Sequence, residues 1–439
     1  MSELFSTPEW LDGNEHIIEP IFCEWFLDCC PMRCIHDHFY TVDGLVADEC
    51  SIKRNIYCAI EEYVDAGIAK KVEQLFNALK IRAYSEAPPL QTDRIHVANG
   101  TYHMDGTFSD VKEFCMNRLT VNFNPEAPPP TRWLQFLSEL LYEEDIPTIQ
   151  EYLGYCLLPT TKGQKMLMLI GKGGEGKSRI GLVMNAIFGS SMNTTSIQKV
   201  ETNRFARADL ESKLLMVDDD MDMNALPKTN HIKSIVTSEC KMDVERKGVQ
   251  SQQVQIYARF LCFGNGALTS LHDHTDGFFR RQILLTSKDR PADRTDDPFL
   301  AEKLVAEKEG IFLWMLEGLN RLIANNYQFT ISERATDNLN TIANNSRNYL
   351  DFMASEGYIE FSEGSKASTK ALYETYRVWC ADNAEKTFSS GEFSTFLREN
   401  QERYHMKYLK NNLYIKKRRC RGYEGVKVLL DQSEFLPGK

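Results

Sequence analysis

The chain has 439 residues, of which 42% are hydrophobic and 26% charged, which is ordinary for a globular protein and excludes extended disorder. At roughly 100–200 residues per domain, this length allows about two to four domains. No apolar run approaches the ~18–20 residues of a membrane span, and the acidic amino terminus lacks a basic segment followed by an apolar one. We therefore expect a soluble, cytoplasmic protein with no membrane partner, whose twelve cysteines are reduced thiols.

The net charge of −11 is distributed unevenly along the chain. Residues 1–50 hold eleven acidic residues and one basic residue, whereas residues 402–427 hold nine basic and two acidic residues. Such asymmetry predicts that the two ends meet different partners, the basic end being suited to phosphate backbones. Two solvated faces would give the same pattern.

The first 127 residues are interpreted as an acidic α+β domain, followed by a helical linker at 128–160. Segment 94–104 predicts two short strands around an Asn-Gly turn, and the three prolines at 128–130 predict a stiff connector. Apolar residues at i, i+3, i+4 spacing over 132–158 then predict two amphipathic helices that break near Pro147.

Potential zinc ligands crowd into this first domain. The spacing of the four that could form a site is unlike that of familiar tetrahedral zinc motifs, so plain helix and strand packing is the favoured interpretation and zinc the alternative. Those four residues are Cys29, Cys34, His36 and His38.

Residues 161–330 alternate short apolar strands with helices, which predicts an α/β domain with a mostly parallel sheet. The predicted helices cover 178–188 and 297–324. The predicted strands cover 165–170, 213–217, 258–263 and 282–285.

A glycine-rich loop, GKGGEGKS at 171–178, lies between the first predicted strand and helix and matches G-x-x-x-x-G-K-[ST] completely. Its glycines allow consecutive backbone N–H groups to surround phosphate oxygens, while Lys177 can reach the β- and γ-phosphates and the Ser178 hydroxyl can ligate Mg²⁺. A chance match in a glycine-rich turn is the alternative, which the flanking elements disfavour. The predicted nucleotide-binding residues are Gly171, Gly173, Gly174, Glu175, Gly176, Lys177 and Ser178.

Three carboxylates, Asp218, Asp219 and Asp220, follow the second predicted strand directly. Because this places acid beside the loop, Asp218 is assigned to Mg²⁺ coordination and Asp219 to activation of the attacking water. The triplet leaves this assignment ambiguous by one position. A solvated turn after a core strand is the alternative.

Polar side chains also follow the third predicted strand and precede the fourth. The amide of Asn265 could hydrogen-bond the γ-phosphate and the attacking water. An arginine that reaches the γ-phosphate of a neighbouring subunit would stabilise charge in phosphoryl transfer, and spacing favours Arg280 over Arg281 for this role. The alternative is that both arginines flank the strand at the surface.

A hairpin is predicted over 243–249, with Arg246 and Lys247 at a basic tip. In a ring such tips would grip the phosphates of a single strand, although a plain surface hairpin fits the composition equally well.

The last region, 331–439, predicts a helix at 370–384, a helix at 390–400 and a hairpin over 412–430 with its turn near Arg421 and Gly422. This is the order of a winged helix. The run on the predicted wing favours contact with DNA phosphates over contact with a protein. The run comprises Lys416, Lys417, Arg418, Arg419 and Arg421.

Residues from about 36 to 430 resemble the helicase part of phage and plasmid primase-helicases, which are superfamily 3 helicases of the AAA+ class related to the poxvirus primase-helicase. Matching segments occur in the family's order throughout this range. They are RIHVANGTYHM, FNPEAP, EYLGYCL, GKGGEGKS, LLMVDDD, RFLCFGN, FFRR and LYETYRVWC…FSTFLREN…GYEGVKV.

The resemblance implies a P-loop AAA+ core and a ring, usually a hexamer, in which hydrolysis of ATP with Mg²⁺ drives 3′→5′ movement on single-stranded DNA. It implies that Asp218 and Asp219 are the metal and catalytic acids and Asn265 the sensor. It also implies that Arg280 is a finger supplied in trans and that Lys247 is the channel-hairpin base.

The sequence departs from the family where Glu175 replaces a common Asn, in the acidic triplet, and in having no evident primase domain. Priming would then need a separate primase, or the chain acts as an origin-melting initiator helicase. Two other functions remain compatible with the sequence: an ATP-switched DNA-binding initiator or loader, and a P-loop enzyme acting on a small phosphate acceptor.

Overall fold

The computed structural model describes residues 8–14, 16–221, 226, 228–237, 240–246, 249–265, 276–291, 297–415 and 418–430. It is a mixed α/β structure built around one five-stranded parallel sheet, with smaller antiparallel sheets before and after it. No helix of the described segments is both long and apolar enough to cross a bilayer.

The amino-terminal region contains three helices and two three-stranded antiparallel sheets, in the orders β1-β2-β3 and β4-β5-β6. Apolar faces of the helices pack with the first sheet into a separate core that includes Phe22, Phe39 and Leu75. The expected strands around the Asn-Gly turn are present as β4 and β5. In chain order the elements are α1 (Glu19–Cys29), β1 (Arg33–Ile35), β2 (His38–Thr41), β3 (Gly44–Leu45), α2 (Glu49–Ile60), α3 (Ile68–Arg82), β4 (Arg94–Val97), β5 (Gly100–His103) and β6 (Phe108–Ser109).

Two helices follow the prolines, as expected, and the second packs tightly on a later helix. The contact depends on glycine: a Cβ on Gly154 would lie 2.3 Å from the Met315 carbonyl oxygen, and one on Gly318 would lie 2.4 Å from the Gln150 carbonyl oxygen. These helices are α4 (Thr131–Leu140) and α5 (Ile146–Tyr155).

The central sheet has the strand order β13-β7-β12-β9-β8, and helices cover both of its faces. Successive residues of each strand point to opposite faces, so Leu167 and Leu169 enter one core while Met166 and Met168 enter the other. In chain order the elements are β7 (Met166–Ile170), α6 (Ser178–Phe188), β8 (Met192–Thr194), α7 (Ile197–Thr202), α8 (Arg204–Ala208), β9 (Leu215–Asp218), α9 (Asn230–Thr237), β10 (Met242–Arg246), β11 (Val249–Val254), β12 (Arg259–Gly264), α10 (Asp276–Phe279) and β13 (Gln282–Thr286).

The helix expected over 297–324 is instead two helices, α11 (Leu300–Ala306) and α12 (Lys308–Ala324). The break falls at Glu307, whose carboxylate accepts the backbone N–H groups of Arg132 and Trp133 at the start of α4. A tertiary contact therefore sets the boundary between α11 and α12, which the apolar periodicity of the segment does not predict.

The carboxy-terminal region places two helices against a three-stranded antiparallel sheet of order β14-β16-β15. The predicted turn near Arg421 and Gly422 is wrong, because both residues lie inside β16, where Gly422 pairs with Ser368 of a strand that the sequence analysis missed. The elements are α13 (Glu333–Ala354), β14 (Ile359–Ser368), α14 (Thr369–Asp382), α15 (Ser390–Glu399), β15 (Lys407–Ile415) and β16 (Arg418–Val428).

Candidate functional site

The glycine-rich loop connects the end of β7 to the start of α6 at the carboxyl edge of the central sheet. Gly173, Gly174 and Gly176 have φ values of +104°, +81° and +105°, which side chains strongly disfavour. Gly171 is required for a different reason, since a Cβ there would lie 2.2 Å from the Ser287 Oγ and 2.8 Å from the Lys177 Nζ. The glycines thus permit a tight turn whose backbone closes around the lysine ammonium group.

Lys177 is 9% exposed, and its Nζ lies 2.8 Å from the Oε2 of Glu175, which is 3% exposed. The Oε1 of Glu175 accepts the backbone N–H groups of Lys172 and Gly173, the latter at 2.8 Å. Burial raises the pKa of the Glu175 carboxyl, but these hydrogen bonds outweigh burial and leave the pKa below its usual value. The ionised carboxylate therefore lies inside the loop.

Asp218 ends β9, Asp219 and Asp220 follow it, and Asp218 and Asp219 lie on opposite faces of the sheet. Asp218 is buried, and its Oδ2 accepts the Ile197 N–H at 2.8 Å, on the face away from α6. A Cβ placed on Gly181 of α6 would lie 4.0 Å from the Asp219 Oδ1. Asp219 and Asp220 are exposed and line a cavity beside the loop, whereas Asp218 does not.

This geometry changes the assignment of the carboxylates. Burial raises the pKa of Asp218, while hydrogen bonds from the Ile197 and Asp220 backbone partly oppose that effect. Asp218 caps α7 and faces away from the loop, so Mg²⁺ coordination by Asp218 is not supported by its position. Asp219, which we expected to activate water, occupies the position nearest to α6, and Asp220 is the second accessible carboxylate.

A cavity of about 800 Å³ gathers these groups. Three charged lining residues were not expected from the sequence: Arg179 in α6, Arg290, which follows β13, and Asp297, which precedes α11. The sequence did contain a signal for Arg290: it is a basic residue shortly after the fourth predicted strand. Because the carboxyl ends of parallel strands lie at the same edge of the sheet, such a residue is expected near the glycine-rich loop. The expected residues around it are Gly173, Gly174, Glu175, Gly176, Lys177, Ser178, Asp219 and Asn265.

The oxygen donors around this cavity suit Mg²⁺, which prefers hydroxyl, carboxylate, phosphate and water oxygens. Ser178 and Asp219 offer one such oxygen each from α6 and from the end of β9. Over the described segments no three His, Cys, Asp or Glu side chains are close enough to hold an ion by themselves. An Mg²⁺ ion here would therefore share its coordination with phosphate oxygens and water. The same finding leaves the zinc alternative at Cys29, Cys34, His36 and His38 without geometric support.

Arg280 and Arg281 lie at the other end of the sheet. They precede β13, whose five residues span about 16 Å at ~3.3 Å each, and the loop lies at the far end of that strand. Arg280 is exposed and its carbonyl accepts the Lys165 ammonium, whereas Arg281 donates to the Gly277 carbonyl. Neither arginine side chain is therefore placed to reach a phosphate bound at the loop of its own chain.

The hairpin of β10 and β11 is present, but Lys247 at its tip lies outside the described residues. Arg246 does not point outward: it ion-pairs with buried Glu211, which also contacts the His36 Nδ1, and donates to the His36 carbonyl at 3.2 Å. Burial lowers the pKa values of both Arg246 and His36. Arg246 thus fastens the hairpin to the amino-terminal region and is not presented for DNA contact.

Basic side chains also surround a cavity of about 1240 Å³ between α14, α15 and the carboxy-terminal sheet. Arg419 and Arg421 line it, together with Lys370 and Arg398, which the sequence analysis did not single out. Lys416 and Lys417 lie outside the described residues, as does the side chain of Arg418.

A protein family model described as a family of unknown function (DUF5906) matches residues 169–281, from within β7 to the residue before β13. No curated protein matches the chain. An apo A-form structure of the NrS-1 C-terminal region shares 11% identity and a TM-score of 0.47, covering 91% of this chain and 98% of that chain. A second apo structure of that region shares 12% identity and a TM-score of 0.45, covering 89% and 93%. At these values nothing about activity or partners transfers to this chain.

Proposed function

We propose that this protein is an ATP-dependent replicative DNA helicase of a phage, plasmid or integrated mobile element, with a P-loop AAA+ core. The observation that carries the proposal is the cavity at the carboxyl edge of the parallel sheet. It joins the glycine-rich loop, Lys177, Ser178, Asp219 and Asn265. This is the set of groups that phosphoryl transfer from a nucleoside triphosphate requires.

Within this site each residue has a distinct role. The loop N–H groups and Lys177 would bind the β- and γ-phosphates, and Ser178 and Asp219 would hold Mg²⁺, which would neutralise charge on the phosphate oxygens. Asp220 or Asn265 orients the attacking water, because both line the cavity beside the γ-phosphate position. Arg290, which also lines the cavity, adds a positive charge there.

The position of Arg280 supports an oligomer. Since it is exposed at the end of the sheet opposite its own loop, it can approach a γ-phosphate only in a neighbouring copy. In the proposed ring, a hexamer, Arg280 completes the site of the adjacent subunit, with Arg281 as the second choice.

The carboxy-terminal region is proposed to be a winged-helix domain that contacts DNA. The basic cavity lined by Lys370, Arg398, Arg419 and Arg421 provides phosphate-binding charge. Lys416 and Lys417, between β15 and β16 in the sequence, and Arg418, the first residue of β16, are proposed to add to it. Lys247 is the proposed contact in the channel. A separate primase or initiator is the proposed protein partner.

The test is strand separation by purified protein on a forked duplex with ATP and Mg²⁺. Wild type should hydrolyse ATP faster with DNA and separate the strands, while Lys177→Ala should do neither. The matched control is Lys53→Ala, which removes a lysine that pairs with Glu73 in the amino-terminal region and should act like wild type.

Other outcomes identify the competing functions. Nucleotide-dependent DNA binding without strand separation would replace the helicase with an initiator or loader that uses ATP as a switch. Hydrolysis that DNA does not alter would indicate a small phosphate acceptor. Absence of nucleotide binding would contradict all three.

A further inference from the structure

The side chain of Glu175 lies inside the glycine-rich loop, against backbone N–H groups and the Lys177 ammonium. Although Lys172, Gly173 and Gly174 beside it are exposed, Glu175 is 3% exposed and turns inward. Its two oxygens contact three donors: the Lys172 and Gly173 N–H groups through Oε1 and the Lys177 ammonium through Oε2.

These donors are of the kind that binds phosphate in a glycine-rich loop. Backbone N–H groups of a glycine-rich loop and its lysine bind phosphate oxygens, and a carboxylate presents two anionic oxygens that can satisfy the same donors. In this structure the donors are therefore hydrogen-bonded before any phosphate arrives.

The loop backbone lies close to the pair formed by Glu175 and Lys177. A Cβ on Gly171 would lie 2.9 Å from the Glu175 Oε1 and 2.8 Å from the Lys177 Nζ, so the loop backbone is closed tightly around the carboxylate–ammonium pair. Two anions sharing one ammonium would also repel each other. Outside the loop, the cavity of about 800 Å³ offers space into which the side chain can swing.

We propose that Glu175 is an internal plug, which a nucleoside di- or triphosphate must displace before its β-phosphate can bind the loop. The proposal rests on the proposed nucleotide-binding function and adds a competing ligand within the chain. The plug lowers nucleotide affinity and delays binding, so that the loop fills only when nucleotide is abundant.

The equilibrium test is calorimetric titration of the 439-residue chain with ADP and, separately, with inorganic pyrophosphate. Glu175→Gln keeps the shape of the side chain but removes its charge, and it should bind both probes about tenfold more tightly, on the scale of one charge-assisted contact. Glu175→Ala, which guards against a perturbation of the loop by Gln, should also increase the affinity for both probes. Equal or weaker binding by both variants would overturn the plug.

The matched control is Asp289→Asn, which removes a carboxylate that pairs with the exposed Lys172 side chain and not with the loop N–H groups. Loss of this exposed charge should change affinity by less than about threefold. If Asp289→Asn gave the same gain as Glu175→Gln, general electrostatics would explain the effect and the plug would be contradicted.

A kinetic measurement separates a plug from a merely structural role. With rapid mixing against a fluorescent ADP analogue, the observed binding rate of wild type should level off at high nucleotide concentration, because the carboxylate must leave first. In Glu175→Gln the rate should rise linearly. If wild type and variant bind equally, the plug fails while nucleotide binding stands; if neither binds, both proposals fail.

Discussion

Replacing Asp218 and Asp219 separately tests the positions of the carboxylates at the end of β9. Asp219 faces α6 and the cavity, whereas buried Asp218 caps α7 through the Ile197 N–H at 2.8 Å. Two adjacent acids of equal chemistry should therefore give opposite phenotypes. Asp219→Asn should impair hydrolysis, and Asp218→Asn should leave hydrolysis close to wild type.

The expected magnitudes follow from these environments. Loss of one preorganised charge in a phosphoryl-transfer site should lower turnover by roughly 10²–10³-fold, while an exposed substitution such as Asp219→Asn should change stability by about 0.5 kcal/mol or less. Asp218→Ala leaves the Ile197 N–H without its acceptor and should cost about 1–3 kcal/mol.

Asp218→Asn retains an acceptor oxygen and has a pH signature. The pKa of Asp218 in the folded state is raised above its usual value of 3.8, so the folded protein binds this proton more tightly than the unfolded chain does. The contribution of Asp218 to the free energy of unfolding is therefore fully present below the unfolded pKa and is lost as the pH rises through the folded pKa. The free energy of unfolding of Asp218→Asn minus that of wild type should therefore be larger at pH 7 than at pH 4.

The assays are steady-state ATP hydrolysis and urea unfolding of wild type and the three variants. The assignment of Asp219, and not Asp218, to the site would be refuted by one result: folded Asp218→Asn without ATP turnover, together with folded Asp219→Asn with full turnover.

Three further predictions concern other parts of the molecule. Gly154→Ala should lower the free energy of unfolding by roughly 1–3 kcal/mol in urea titrations, because the added methyl meets α12; an unchanged midpoint would contradict the close packing. Mixing Arg280→Ala with Lys177→Ala subunits should recover part of the ATPase activity that each lacks alone, and no recovery at any ratio would exclude a shared site. Arg246→Met should cost about 3–5 kcal/mol by removing the charged partner of Glu211 and leaving this buried carboxylate with its His36 contact, and Glu211→Gln in the same chain should restore most of the loss; unchanged stability in the single variant would count against a structural role for Arg246.

The glycine-rich loop could be predicted from sequence because its chemistry is local. Gly171, Gly173 and Lys177 fall at fixed spacing between an apolar strand and a helix, and the structure places them there. Four of the five described parallel strands were also within one or two residues of their expected limits, because fully buried strands are continuous apolar runs. The edge strand β8, which has no fully buried residue, was not predicted.

Features that depend on distant contacts could not be predicted in this way. Which aspartate after β9 faces the loop depends on the register at which the strand leaves the sheet, and a one-residue shift exchanges the faces. Gly422 resembled a turn residue, but a Cβ there would lie 2.1 Å from the Ala367 carbonyl oxygen, so it permits close approach of β14. The inward position of Arg246 depends on Glu211, 35 residues away in the sequence.

The most direct test of a shared, DNA-driven site is ATP turnover per protomer measured against protein concentration, with single-stranded DNA present and absent and the molar mass followed by light scattering. Turnover per protomer should rise as copies assemble and should rise further when DNA is added. A protein that stays monomeric under all these conditions yet hydrolyses ATP at its full rate would contradict the account.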